Sequence, residues 1–443
     1  MTLNEDAQTI ARPTTETTRS RRVLPAAIGS QAIEYYDFLI YGTAASLVFG
    51  TQFFPSVSPV VGVLAAFATF AVGFLGRPVG AAIFGHIGDR YGRKPAVLGS
   101  LLLMAVATLL IGLLPTYAAV GVLAPILLTV LRVLQGISIG GQWAGVSLLA
   151  LEHAPPHRRG LHAALPQIGV SVGLIGGTLM FLLISGLTNA DEFAAWGWRI
   201  PFLLTVLMFP IAYYMHRYIE DTPSFRRAEA ALAADGGRPR SSVVEVFRRP
   251  RQMLLAAGTY LAASVTFYVV VTGVLDYATR ELRIPRGTVL TATMISMVAF
   301  AVAMVGAAWL SDLVGRRPVY AAGAALSAVW AFALFPLIES ANFGLILLAL
   351  SVAQVAVGAM FGTAASMFAE MFPPEVRYAG ASFGNQFANI AGGGLAPFIM
   401  VALLASTGTP LSVAGYVAAA SVVSLVSLAL VRFPRAAEDV PSS

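Results

Sequence analysis

The chain has 443 residues, of which 57% are hydrophobic and only 11% charged, against roughly 25% charged in ordinary soluble domains. That balance belongs to a protein that lives in lipid, and the formal net charge of +6 needs no nucleic-acid partner to explain it once the basic residues are sorted by membrane face. Without a single cysteine, disulfides, thiolate metal sites and cysteine nucleophiles are excluded.

A membrane helix needs about 20 predominantly apolar residues. The gaps between charges predict twelve spans: 24–50, 59–83, 96–115, 119–149, 162–186, 199–217, 251–275, 288–309, 319–338, 344–369, 379–404 and 411–432. The expected fold is an all-α membrane protein with two pseudo-symmetric six-helix bundles. Its parts are a cytoplasmic N-terminal tail (1–22), a first bundle (23–217), a cytoplasmic linker (218–250), a second bundle (251–432) and a short tail (433–443). The polar first 22 residues lack the short apolar core of a removable signal peptide. Within the linker, Ala228–Ala234 is expected to form a short interfacial helix.

Charge inside a bilayer costs about 2.5–3.5 kcal/mol even on lenient scales, so intramembrane ionisable residues are functional candidates by default. In chain order they are Glu34 and Asp37 in span 1, Arg77 in span 2 and Arg132 in span 4. Glu34 and Asp37 are three apart and share a helix face with Ser30 and Tyr41. Two carboxylates so placed cannot both ionise cheaply, and beside Arg132 they suit the binding and release of a proton, or else a static ion pair docking span 1 on span 4. Arg77 is suited to a substrate carboxylate because its planar fork can bond both oxygens; otherwise it snorkels to the interface or pairs with Asp89 or Glu34.

Span 4 carries Gly136, Gly140 and Gly141, and span 5 carries Gly169, Gly173, Gly176 and Gly177, spacings that permit close helix approach. Asn385, Gln386 and Asn389 in span 11 either line a cavity or bond across helices. Asp276, Glu152 and Glu370 stand at span ends, within reach of water. The histidines His86, His153, His157, His162 and His216 fall near cytoplasmic span ends, and Pro155-Pro156 prevents His153 and His157 from sharing a helical turn. No metal site is expected, and no nucleophile–base set of an enzyme appears.

Two phrases recur. Asp89-Arg90-Tyr91-Gly92-Arg93-Lys94-Pro95 returns 223 positions later as Asp312-Leu313-Val314-Gly315-Arg316-Arg317-Pro318, and Glu152-His153-Ala154-Pro155-Pro156 returns 218 positions later as Glu370-Met371-Phe372-Pro373-Pro374. Duplicated halves are how many secondary transporters are built, with the substrate expected between them near the bilayer midplane. Gly92 and Gly315 permit tight turns. Asp89, Arg93, Asp312 and Arg316 are the candidate cytoplasmic gate, a latch that breaks when the cytoplasmic side opens. With the N-terminus inside, 22 of the 28 basic residues lie on the cytoplasmic side and only Arg199, Arg280, Arg283 and Arg286 outside, so both termini are expected in the cytoplasm.

Gly85-His86-Ile87-Gly88-Asp89-Arg90-Tyr91-Gly92-Arg93-Lys94 and the Arg132–Gly140 run resemble the two signatures of the major facilitator superfamily. More narrowly, Glu34-Tyr35-Tyr36-Asp37-Phe38, Phe53-Phe54-Pro55, Arg77-Pro78, Trp196-Gly197-Trp198-Arg199-Ile200-Pro201 and Glu220-Asp221-Thr222-Pro223-Ser224-Phe225 resemble its metabolite:proton symporter branch. Members of that branch carry shikimate, 2-oxoglutarate, citrate, aromatic acids, proline or glycine betaine. The resemblance implies proton symport with Asp37, Arg132 and Glu34 in coupling, which of the two carboxylates carries the proton being left open, and it suggests Arg77 and Arg199 as anion contacts. Tyr41, Gln142, Gln167, Asn385 and Asn389 complete the candidate substrate set. Branch members commonly have Glu where Gln142 stands, so no titrating role is expected there. The expected function is proton-coupled uptake of an organic acid anion by a monomer in a bacterial cytoplasmic membrane, with protons as coupling ion and no other cofactor. An osmolyte symporter of the proline/betaine type and a proton-coupled antiporter are the alternatives. The short tail after Phe433 argues against the osmosensing subtype with its coiled-coil extension, and Gly173-Leu174 lacks the Gly-Pro pair of drug antiporters.

Overall fold

A computed structural model describes residues 12–152, 154, 158–218, 242–373 and 376–431. Most of the linker and its Ala228–Ala234 helix, the Glu220–Phe225 motif, His153, His157 and the tail from 433 lie outside the described residues. The described chain forms helices and turns, without strands. Its contacts divide into two compact units, Met1–Gly237 and Arg238–Ser443.

In the first unit α1 (Arg12–Ala44) runs through a π-helical turn, Ala45–Phe49, into Gly50–Phe53. It is followed by α2 (Pro59–Arg90), α3 (Arg93–Leu113), α4 (Leu123–Glu152), α5 (Ile168–Leu187) and α6 (Met208–Tyr218). The second unit contains α7 (Pro250–Tyr268), α8 (Arg286–Val314), α9 (Arg316–Glu339), α10 (Phe343–Met371), α11 (Arg377–Asn389) and α12 (Leu411–Leu430). Here α7 continues through a second π-turn, Val269–Gly273, 224 positions after the first, and α11 continues through Ile390–Gly394 into Ala396–Thr407. Among the described residues eleven helical stretches are long and apolar enough to cross a membrane. The twelfth span is α1, whose polar residues, Glu34 and Asp37 among them, dilute its hydropathy although its length suffices.

The largest departures from the hydropathy reading lie at the first two helices. Helix α1 begins at Arg12, inside the expected tail, and α2 runs on to Arg90 rather than ending near residue 83. Helical hydrogen bonding continues past the apolar stretch because water satisfies a polar helix end as well as a loop. The true stops are Gly92, at φ 106°, and Gly315, at φ 92°, each ending one helix and starting the next in a conformation that side chains resist.

Small residues set the helix spacing. A Cβ on Gly136 would overlap the carbonyl oxygen of Gly73, one on Gly140 that of Arg77, and one on Gly80 that of Ile137, so α2 and α4 touch backbone to backbone. Gly169 and Gly173 bring α5 equally close to Ile28 and Ala32 of α1. In the second unit Gly358 and Gly362 play the part of Gly136 and Gly140, 222 positions on, with α8 carbonyls of Phe300 and Met304 as their neighbours. Apolar cores fill the rest. One gathers Tyr41, Phe49, Phe53, Trp198 and Phe202, and another gathers Val269, Phe335, Leu350 and Met400.

Candidate functional site

Within the first unit an ionic cluster forms around Asp37 and Arg132. Asp37 is wholly buried. Its Oδ1 accepts from Thr108 Oγ1 at 2.6 Å and from Gln135 Nε2 at 2.7 Å, while Oδ2 lies 3.5 Å from Arg132 Nη1. Arg132 also donates to Gln135 Oε1 at 3.0 Å and lies over the rings of Tyr41, at 4.2 Å, and Phe70, at 4.7 Å. Helix spacing explains the local part, since Gln135 is one turn from Arg132 and Tyr41 one turn from Asp37. Gly73 clears the space, because a Cβ there would meet Arg132 Nε at 2.9 Å. Two charge-assisted bonds to Oδ1 hold the carboxylate in one pose, and Oδ2 is left to face the guanidinium.

Glu34 does not join this pair. Its Oε2 accepts from Gln31 at 2.9 Å, one turn back on its own helix. Arg77 is itself buried, with its guanidinium 4.1 Å from the Phe74 ring centre. It neither snorkels to the interface nor pairs with Asp89. Among the described residues it makes no ion pair within 4 Å, and its buried Nε has no hydrogen-bond partner. A permanently charged fork without a counter-ion is costly in this setting unless something supplies one.

The two recurring phrases meet in space inside each unit. Arg93 lies 2.8 Å from Asp89 and 3.7 Å from Glu152, all three nearly inaccessible. In the second unit Arg316 lies 3.8 Å from Asp312 and 2.8 Å from Glu370. Glu152, expected at a span end in reach of water, is instead buried against Arg93, because α4 continues helically to that residue and turns its carboxylate inward. Glu370 does stay partly exposed, as does Asp276, which pairs with Arg280.

The remaining candidates scatter. Arg199 is half-buried and spends one nitrogen on backbone. Its Nη1 donates to the carbonyl oxygens of Gly112, at 2.9 Å, and Leu114, at 2.6 Å, closing the C-terminal end of α3 where unpaired carbonyls favour a cation. Gln142 donates to Ser30 and docks α4 on α1, and Gln167 donates to Ser147; both are fully buried. Tyr41 is buried too, its hydroxyl 2.7 Å from Thr69. Asn389 accepts from Ser264 of α7 and donates to Asn385, so those amides bond across helices and along their own. Sequence reasoning missed Thr108, for which no local signal existed, and Gln135, which the three-residue spacing from Arg132 offered. Among the described residues no cluster of three His, Asp or Glu is arranged to hold a metal ion.

Comparisons with known proteins give this geometry its setting. The family model described as "Sugar (and other) transporter" matches residues 23–235, and that of the major facilitator superfamily matches 259–443. The shikimate transporter of Escherichia coli (strain K12) is 38% identical over 427 residues, covering 95% of this chain and 97% of its own. The chain belongs to the major facilitator superfamily. This superfamily transporter is also 33% identical over 417 residues to the proline/betaine transporter of the same strain, covering 92% of this chain and 82% of the relative. Among solved structures it resembles the proton:xylose symporter XylE bound to 6-bromo-6-deoxy-D-glucose, with a TM-score of 0.75 at 17% identity, 94% of this chain and 97% of that one being covered. At that identity the likeness speaks for the fold. It is thus a multi-pass membrane transporter of small molecules, not an enzyme, whose relatives include bacterial inner-membrane carriers.

Proposed function

We propose that this transporter takes up a small organic acid anion together with a proton by alternating access, as a monomer in a bacterial cytoplasmic membrane with both termini in the cytoplasm. The observation that carries the reading is the contrast between two buried arginines. Arg132 is neutralised by Asp37, whereas among the described residues Arg77 makes no ion pair within 4 Å and its buried Nε has no hydrogen-bond partner. The first pair suits the proton, because protonating Asp37 cancels its attraction to Arg132 and frees the arginine to move. The second suits the substrate, whose carboxylate would complete Arg77 as a bidentate partner. Glu34, three residues before Asp37 on the same helix, would take part in the coupling beside it.

Asp89, Arg93, Asp312 and Arg316 would act as the cytoplasmic gate, with Glu152 and Glu370 as added members. The orientation is supported by the distribution of basic residues, and the substrate class by the 38% identical shikimate transporter. Substrate added to cells or oriented vesicles should alkalinise the external medium in step with uptake. Uptake without proton movement would leave a uniporter.

A second reading follows from the proline/betaine relatives, which include a glycine betaine/proline/ectoine/pipecolic acid transporter of Dickeya dadantii (strain 3937) at 34% identity. A thermal-shift screen of carboxylates against betaines separates the two. Stabilisation by betaines alone would replace the organic-anion reading.

A further inference from the structure

Where α7 begins and α10 and α12 end, the second unit has a cavity of about 160 Å³ lined by Arg251, Gln252, Leu255, Met371, Leu430 and Val431. The whole of it lies within that unit, at the membrane surface these three helix ends share. Arg251 and Leu430 are exposed, so the cavity opens outward. Four of its six lining residues are apolar. About a turn deeper into the bilayer, Leu254 of α7 and Val426 of α12 are exposed apolar side chains as well.

The polar wall offers a cation and an acceptor. Among the described residues Arg251 makes no ion pair within 4 Å, and beside it the buried Oε1 of Gln252 has no hydrogen-bond partner. Carboxylates near this end are engaged by other arginines. Glu245 lies 3.8 Å from Arg248 and 3.3 Å from Arg249, while Asp312 and Glu370 both face Arg316. Arg317 donates to the carbonyl oxygen of Val431, which brings a second cation to the rim. A positive pocket between helix ends at a membrane surface suits the phosphate of a lipid head group. The apolar walls discriminate further, because a soluble anion leaves them without a partner. A zwitterionic head would bring its own cation up to Arg251.

We infer that this cavity is a binding site for an anionic phospholipid of the surrounding bilayer. The phosphodiester sits on Arg251, whose planar fork can bond two phosphate oxygens. A glycerol hydroxyl of the head donates to Gln252 Oε1. The top of one acyl chain passes between Leu255 and Leu430 toward Leu254 and Val426, and the rest of the lipid stays in the bilayer. As an occupant the chain's own tail is disfavoured, since it opens with Arg432 and Arg435, of the same sign as Arg251. The site shares no residue with the substrate and coupling groups proposed above, so it is tested separately from them.

The test titrates the full-length protein in detergent with phosphatidylglycerol, with phosphatidylcholine of the same chains and with glycerol 3-phosphate. Thermal midpoint and lipid retained in native mass spectrometry are the readouts. Wild type should retain phosphatidylglycerol and melt higher with it, at lower concentrations than with phosphatidylcholine, and glycerol 3-phosphate should do neither. Arg251→Gln, at an exposed position, should weaken the phosphatidylglycerol response about fivefold or more, the effect of one arginine near an anionic lipid surface, and leave the phosphatidylcholine response unchanged. Arg248→Gln makes the same charge change outside the cavity and should keep the wild-type preference. Equal responses to the two lipids overturn the inference, as do equal losses in the two variants, which would reduce the effect to diffuse surface charge. A full response to glycerol 3-phosphate overturns it in favour of a soluble anion. A midpoint that Arg251→Gln already lowers in lipid-free detergent overturns it in favour of a segment of the chain itself.

Discussion

Arg132 faces Asp37 at 3.5 Å through one carboxylate oxygen, while the other oxygen is already held by Thr108 and Gln135. The two residues are joined by charge on one side of the carboxyl group only. That geometry separates holding the side chain from neutralising it, since protonation at Oδ2 would release the arginine and leave the Oδ1 bonds in place.

Asp37→Asn should therefore keep the fold and lose the coupling. The amide oxygen still accepts from Thr108 and Gln135, but nothing titrates. Accumulation of labelled substrate against a gradient should fall to equilibration, while substrate exchange between loaded vesicles and medium persists and no longer responds to external pH. Unchanged accumulation would remove Asp37 from the coupling role.

Arg77 and Arg199 should respond oppositely to truncation. Arg77→Ala removes a buried charge that makes no ion pair within 4 Å among the described residues, so the thermal midpoint should hold or rise while affinity for carboxylates drops about 10- to 100-fold, the range of one or two charge-assisted bonds. Arg199→Ala strips the cation from the end of α3 and should lower stability by about 1–2 kcal/mol with affinity unchanged. Titration of binding alongside melting curves distinguishes them.

The paired latches should be unequal. Arg93→Ala removes the cation that Asp89 and Glu152 share in a nearly inaccessible triad and should cost about 3–5 kcal/mol. Arg316→Ala breaks contacts to a Glu370 that is 43% exposed, and should cost about 1 kcal/mol or less. Equal losses in denaturation midpoint would mean that the two triads are not distinguished by burial.

Backbone contact between α2 and α4 leaves no room for a methyl group. Gly136→Ala should cost at least about 2 kcal/mol, toward the upper part of the range for overpacking. Gly186→Ala in α5, where a Cβ meets nothing within 4 Å, should be neutral or stabilising by up to about 1 kcal/mol. Melting curves of the two variants in detergent provide the comparison.

Much of this was legible before any coordinates. The bilayer penalises every buried charge, so the few intramembrane ionisable residues stood out, and Glu34, Asp37, Arg77 and Arg132 all prove buried in one unit. Spacing announced the turns at Gly92 and Gly315. The duplication showed that Asp89 and Glu152 recur, but not that they meet at one arginine. Glu152 looked solvent-exposed because hydropathy ends where a helix need not. The bonds of Arg199 to the end of α3 were not legible, because its partners there are backbone carbonyls, to which every residue type contributes alike and which leave no trace in composition.

Residence in lipid, the helical fold, the internal repeat and the short roster of membrane charges follow from local rules: a 20-residue apolar span, a desolvation penalty, a glycine at positive φ. Which arginine is answered by a carboxylate and which is left open is a different kind of question. Asp37 and Thr108 are 71 positions apart and Asp37 and Gln135 are 98 apart, and a bond between them exists only because α1, α3 and α4 pack side by side and bring these side chains within hydrogen-bond reach. Hydrogen bonds weaken steeply beyond that reach, so pairing is decided by packing, and packing by contacts between residues far apart in the chain.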